Sequence, residues 1–216
     1  MNLFRTLIIA TLGLTALPAF ALSDNGQAQL QQLQTRWAEI NYETPQKQRE
    51  AAFAKLVTQA DAALASEPRA PELLIWRGII LSTQAGAKGG LGALGLVKQA
   101  KASLEQALAI DPKALAGSAY TSLGSLYYQV PGWPIGFGDD EQAEKMLEQA
   151  LAINPDGLDP NYFYGDFLQR QKRYEEARAA LEKTLAAKDR PGRELADQGR
   201  RAEARALLQQ VEDKLE

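Results

Sequence analysis

The 216-residue chain contains no cysteine and no histidine. Without cysteine there is no thiol nucleophile, no disulfide, no thiolate-held metal and no lipid attached to an N-terminal cysteine. Without histidine there is no imidazole base, no Ser-His-Asp relay and no zinc site built on nitrogen and sulfur ligands. An excess of either charge is also missing: 24 Lys and Arg stand against 27 Asp and Glu, a net charge of −3 that offers no electrostatic case for nucleic acid. Carboxylates, hydroxyls, Lys and Arg, aromatics and the backbone are what remain for function.

Long hydrophobic runs are scarce, and the clearest lies at the start. Met1 to Arg5 carries one positive charge, Leu7 to Leu17 is uncharged, and Ala19-Phe20-Ala21 fits the small-x-small pattern of a cleavage site. The run is short of the roughly 20 residues that cross a bilayer, and Pro18 closes it. These features predict an export signal over residues 1–21, a mature chain from Leu22, and a periplasmic protein free of the membrane after cleavage.

The rest of the chain repeats. Ala143-x3-Leu147-x2-Ala150-x4-Pro155 restates Ala100-x3-Leu104-x2-Ala107-x4-Pro112, and Ala177-x3-Leu181 begins a third copy 34 residues after Ala143. Each copy is preceded by a Gly in an apolar setting: Leu74-x2-Arg77-Gly78-x2-Leu81, Tyr120-x2-Leu123-Gly124-x2-Tyr127 and Asn161-x2-Tyr164-Gly165-x2-Leu168. Two antiparallel helices approach closely only where small side chains face each other, so Gly124 opposite Ala143 and Ala150 lets Leu123, Tyr127 and Leu147 interlock. Asp111-Pro112, Asn154-Pro155 and Asp159-Pro160 read as boundaries between helices. The spacing predicts helices over about 24–41, 45–66, 71–85, 94–110, 114–129, 140–153, 160–171, 174–187 and 192–215. Leu30, Leu33, Trp37 and Ile40 form the apolar stripe of the first, and Phe53, Leu56, Val57 and Leu64 that of the second.

On these residues the chain resembles the tetratricopeptide-repeat family. The resemblance implies an all-α, right-handed solenoid of helical hairpins over 22–216, with clear repeats over about 71–188, a divergent N-terminal pair and a C-terminal capping helix. It implies a concave groove lined by the first helix of each pair. Carried over to this chain, groove positions are Ile75, Ile79, Ser82 and Thr83, then Thr121, Ser125, Tyr128 and Gln129, then Tyr162, Asp166, Gln169 and Arg170. Ile75 and Ile79 stand where some relatives carry the Lys and Asn of a carboxylate clamp, so that mode of recognition is not implied.

Two insertions interrupt the regular spacing. Gly165 to Ala177 is 12 residues, whereas Gly78 to Ala100 is 22 and Gly124 to Ala143 is 19. Both extra segments, 86–96 and 129–140, fall in the turn within a hairpin and so leave the solenoid on one edge, where insertions often bind partners. The first is predicted as a flexible Gly-rich loop. The second carries Trp133, Ile135 and Phe137 between stiffening prolines; these aromatics either contact a partner or fold back over apolar surface. Gly90-Leu-Gly92-Ala-Leu-Gly95 matches a dinucleotide fingerprint but follows the repeat's Gly78 and no strand, so no cofactor is expected.

Arg190, Arg193, Arg200, Arg201 and Arg205 cluster around the last helix. Interleaved Glu194, Asp197, Glu203 and Asp213 suggest a solvated cap with pairs such as Asp197 with Arg201; a dock for an acidic ligand is the functional alternative. Asp139 and Asp140 are better explained as the N-cap and first turn of the next helix than as catalytic acids. The sequence therefore points to a non-catalytic scaffold, without metal or cofactor, that holds a protein or peptide partner in its groove and edge loops. Export plus a helical solenoid also resembles, more loosely, the repeat component accompanying some periplasmic solute transporters, which implies a small apolar or acidic ligand.

Overall fold

The computed structural model describes residues 22–216. The expected export signal, 1–21, lies outside the described residues. Among them the chain forms nine α-helices and one short 3-10 turn. They are α1 (Asp24–Tyr42), α2 (Gln46–Ser66), α3 (Pro71–Lys88), α4 (Leu94–Ile110), α5 (Ala114–Gln129), α6 (Asp140–Ile153), α7 (Leu158–Arg170), α8 (Tyr174–Ala186) and α9 (Glu194–Glu212). The sequence-based helices match these to within three residues at each end.

Three hairpins are built on one device. A Cβ added to Gly78 would stand 2.6 Å from the Leu104 side chain, one on Gly124 would stand 2.6 Å from Leu147, and one on Gly165 would stand 2.8 Å from Leu181. In each hairpin the leucine fills the space that glycine leaves, and Ala100, Ala143 and Ala177 are fully buried beside it. Each of these leucines is itself fully buried and stabilises the fold by ~2 kcal/mol. The insertions therefore lengthen the hairpins without disturbing the seam where their helices touch.

The 86–96 segment is not the flexible loop that its glycines predict. Helix α3 continues to Lys88, Leu91–Ala93 form the 3-10 turn, and α4 starts at Leu94, leaving Gly89 and Gly90 as the turn. Both have positive φ (66° and 61°), the region that glycine enters without steric penalty. The insertion is thus absorbed mostly as extra helix. The 129–140 segment is a folded loop: Gly138 N–H donates to the Pro131 carbonyl (3.0 Å) and Asp139 N–H to that of Tyr127 (2.9 Å). The Asp139 side chain then accepts from Gln142 N–H (3.0 Å), which makes it the N-cap of α6 as its sequence position suggests.

One boundary differs in kind. Leu115, Ala116 and Gly117 have left-handed backbone angles, so the right-handed part of α5 begins at Ser118. For Leu115 and Ala116 that conformation costs roughly 1–2 kcal/mol per residue.

Candidate binding cavity on the concave side

The odd-numbered helices form an inner ring. Helices α1 and α3, α3 and α5, α5 and α7, and α7 and α9 pack side by side, and α9 also packs against α1. The capping helix also reaches the N-terminal helices: Ala196 belongs to the same buried cluster as Trp37, Ile40, Phe53 and Trp76. Closing the ring turns an open groove into a cavity of about 690 Å³.

One wall is apolar. Trp37 and Trp76 meet edge to face with ring centroids 5.9 Å apart, and Phe53 and Ile79 complete this side. The Trp37 indole donates to Thr83 Oγ1 (2.9 Å), which holds the ring in place. A hydroxyl strip follows on α5, where Ser118, Thr121, Ser122 and Ser125 line the space up to Gln129. The left-handed Leu115 and Ala116 lie on the same wall, so the strained backbone coincides with the cavity.

The opposite wall is ionic. Arg190 donates to Asp159 Oδ2 through Nη1 (2.6 Å) and to Asp197 Oδ1 through Nε and Nη2 (2.8 and 2.6 Å). Arg200 donates to Asp159 Oδ1 through Nε (3.0 Å) and to Glu203 Oε2 through Nη1 (2.6 Å). It also stacks over Tyr162 and Phe163, 4.4 and 4.7 Å from their centroids. Burial raises the Asp159 carboxyl, but Arg190 and Arg200 outweigh burial and hold it at about 2. Asp197 is only 1% exposed and pairs with Arg190, not with Arg201 as helical spacing predicts. Arg201 turns instead to Asp189 and the Ala187 carbonyl. Of the arginines read from the sequence as a solvated cap, Arg190, Arg193 and Arg200 therefore supply a cavity wall, whereas Arg201 and Arg205 do not line it.

The groove positions inferred by resemblance separate into three groups. Ile79, Ser82, Thr83, Thr121, Ser125 and Gln129 line the cavity. Ile75 does not: it is 0% exposed, because the turn of α3 that carries it faces the core shared with α4. Tyr128, Asp166 and Arg170 form a separate network bridging α5 and α7. Tyr128 donates to Asp166 Oδ2 (2.7 Å), Gln129 Nε2 donates to the Tyr128 hydroxyl (3.2 Å), and Arg170 Nε donates to Asp166 Oδ1 (3.3 Å). Burial and the Asp166 charge push the Tyr128 hydroxyl well above its ordinary value, so it remains a proton donor. Tyr162 sits beneath Arg200, and Gln169 is half-buried on α7.

The edge-loop residues also part company. Phe137 folds back onto Tyr127, edge to face at 5.7 Å, with Lys101 near both rings. Trp133 and Ile135 point outward, 89% and 54% exposed. Trp76, Arg49 and Tyr42 are cavity residues that no sequence motif singled out. Trp76 sits inside the apolar run of α3, where nothing local distinguishes a core ring from a cavity wall.

This architecture of hairpins stacked around a ring of first helices is that of a helical-repeat solenoid. Two family models described as tetratricopeptide repeat match residues 135–194 and 91–114. A crystal structure of a thermophilic TPR protein from Thermus thermophilus is similar, with 25% identity, a TM-score of 0.54, and coverage of 85% of this chain and 91% of that one. The crystal structure of MamA is similar at 23% identity and a TM-score of 0.44, covering 78% of this chain and 92% of that one. No curated protein matches the sequence. The chain therefore carries tetratricopeptide repeats within a TPR-like helical solenoid, and such repeats characteristically mediate protein–protein interaction.

Proposed function

We propose that the chain is an exported, non-catalytic binding module that holds a peptide segment of a partner protein in its concave cavity, with the Trp133 loop as a second contact. The observation that carries this reading is the ring of inner helices: an aromatic wall, a hydroxyl strip and an arginine wall converge on one half-open cavity. Cavities of roughly 300–1,000 Å³ with mostly apolar walls and a few placed polar groups are typical ligand sites. Thr121, Ser125 and Gln129 would contact the bound segment, while Trp133 and Ile135 would reach the partner from outside. Tyr128, Asp166 and Arg170 tie α5 to α7, Tyr162 supports Arg200, and Phe137 anchors the loop.

The size of the cavity also favours a second reading. A cavity of about 690 Å³ suits a small molecule as well as a short peptide segment, in keeping with an accessory component that passes a solute to a transporter. Photo-crosslinking in the expressing cell separates the two. A benzophenone amino acid at Ser125, inside the cavity, should capture a protein under the first reading and leave the chain uncrosslinked to protein under the second. Capture from Glu182, exposed on α8, with none from Ser125 or Trp133 would contradict the concave-side reading altogether.

A further inference from the structure

The ionic wall of the cavity is incomplete at one point. Arg190 and Arg200 are each engaged by two carboxylates, whereas Arg193 makes no ion pair among the described residues. Its guanidinium lies 4.8 Å from the centroid of Trp76, and its buried Nε finds no hydrogen-bond acceptor among them. Burial lowers its pKa and the Arg190 charge lowers it further, the signature of a cation short of a counter-ion. Asp159 and Asp197 lie near enough to support its charge, but Arg190 occupies both. On the same cavity the Tyr42 hydroxyl is buried with the Asn41 side chain near it but with no partner in hydrogen-bond geometry among the described residues. Burial raises it to about 12, so at neutral pH it carries its proton. Both unmet groups are therefore donors.

Buried polar groups in folded proteins are nearly always satisfied, so two unmet donors on one cavity mark the place of an acceptor. The charge balance says which kind. Arg49, Arg190, Arg193 and Arg200 on the lining face Asp159 and Glu203, with Asp197 behind Arg190. One negative charge completes this set, whereas a dianionic phosphate monoester would overshoot it. Next to Arg193 begins the indole wall of Trp76 and Trp37, in which the Trp37 N–H is already bonded to Thr83.

We propose that the cavity is a receptor for a monocarboxylate with an apolar body, its carboxylate held by Arg193 and Tyr42 and its body lying along Trp76, Trp37 and Phe53. The proposal rests on the reading of the concave cavity as the binding site. Two sources share this chemistry: a free aliphatic or aryl carboxylic acid, and the C-terminus of a peptide ending in apolar residues. Arg193 belongs to the start of α9, so this is a different carboxylate site from a clamp on the first repeat helix.

The tryptophans provide the readout. The sequence has three, and replacing exposed Trp133 by Phe leaves Trp37 and Trp76, both on the cavity wall, as the reporters. In the Trp133→Phe protein, tryptophan fluorescence and its quenching by acrylamide are followed during titration with 4-phenylbutyrate, its primary amide and 4-phenylbutylamine. The same is done with the tripeptide Leu-Leu-Phe as free acid and as C-terminal amide. A saturable change is expected for at least one free acid, at ten-fold or more higher affinity than its amide, with the amine weaker still. Arg193→Gln should remove that acid-over-amide preference, and Tyr42→Phe should reduce it several-fold; Arg193→Lys, which keeps the charge, guards against a folding defect and should retain part of it. Preference for phenylbutyrate or for the tripeptide acid tells which source applies. Equal binding of acid and amide, or a preference untouched by Arg193→Gln in a folded protein, would overturn the carboxylate assignment while leaving the cavity as a binding site. No response to any probe would also overturn it, and the crosslinking from Ser125 then decides separately whether the cavity binds a protein.

Discussion

Gly199 of α9 lies against the ring of Tyr42 at the end of α1: a Cβ placed on Gly199 would stand 2.4 Å from the ring carbons Cε1 and Cζ. Helix α9 can return to α1 at this depth only because position 199 has no side chain. Together with Ala196 packed among the N-terminal helices, this close approach closes the inner ring around the cavity. Gly199→Ala is expected to push Tyr42 off its edge-to-face contact with Trp37 (5.9 Å) and to lower stability by about 1–2 kcal/mol. Urea unfolding measures the loss, and acrylamide should reach Trp37 and Trp76 more readily in the folded variant.

The same Gly to Ala change is expected to have opposite signs at two other sites. Gly124→Ala brings a methyl to 2.6 Å from Leu147 and 3.2 Å from the Ala143 carbonyl, forcing the hairpin apart at a cost of about 1–3 kcal/mol. Gly86→Ala on α3 meets nothing within 4 Å, and alanine's better helix propensity should stabilise by about 0.5–1 kcal/mol. Paired urea midpoints check both.

Trp133 and Phe137, four residues apart in one loop, should respond differently to truncation. Trp133→Ala removes a ring that is 89% exposed and should change stability by less than about 0.5 kcal/mol. Phe137→Ala removes the ring packed on Tyr127 and should cost about 1–2 kcal/mol. Melting curves of the two variants decide; a large drop for Trp133→Ala would make its role one of packing.

Asp159 links stability to pH. Its folded pKa of about 2 lies below the ordinary 3.8, so its contribution is fully present above about pH 4 and is lost as the pH falls toward 2. The separation corresponds to roughly 2 kcal/mol. Asp159→Asn should therefore lower stability by about that amount at pH 7, and the gap between the two proteins should close between pH 4 and pH 2. Urea midpoints across that range measure it; a gap independent of pH would contradict the ionic role.

The parts of the fold that were legible in the sequence are those governed by short-range rules. Gly78, Gly124 and Gly165, their partner alanines and the proline boundaries locate the helices, because each feature acts within one hairpin. The closure of the ring was not legible, since the approach of Gly199 to Tyr42 spans most of the chain and carries no repeat signature. The arginine wall was hidden for a related reason: Asp197 has a helical neighbour in Arg201, yet Arg190 and Asp159, brought together only by the fold, form the pairs that build the wall. The 86–96 glycines misled because a Gly-rich stretch can still continue two helices when only Gly89 and Gly90 must turn. Of the candidate site, the hydroxyl strip of Thr121 and Ser125 followed from the family pattern, whereas Trp76 and Tyr42 needed the closed ring to become wall residues.

The most direct test is a crystal structure of the protein grown with 4-phenylbutyrate. The expected result is electron density in the inner ring, with the carboxylate within hydrogen-bond distance of Arg193 Nε and the Tyr42 hydroxyl and the phenyl ring against Trp76. Density for the acid only outside the ring, or an inner ring that remains filled with water at saturating acid, would contradict it.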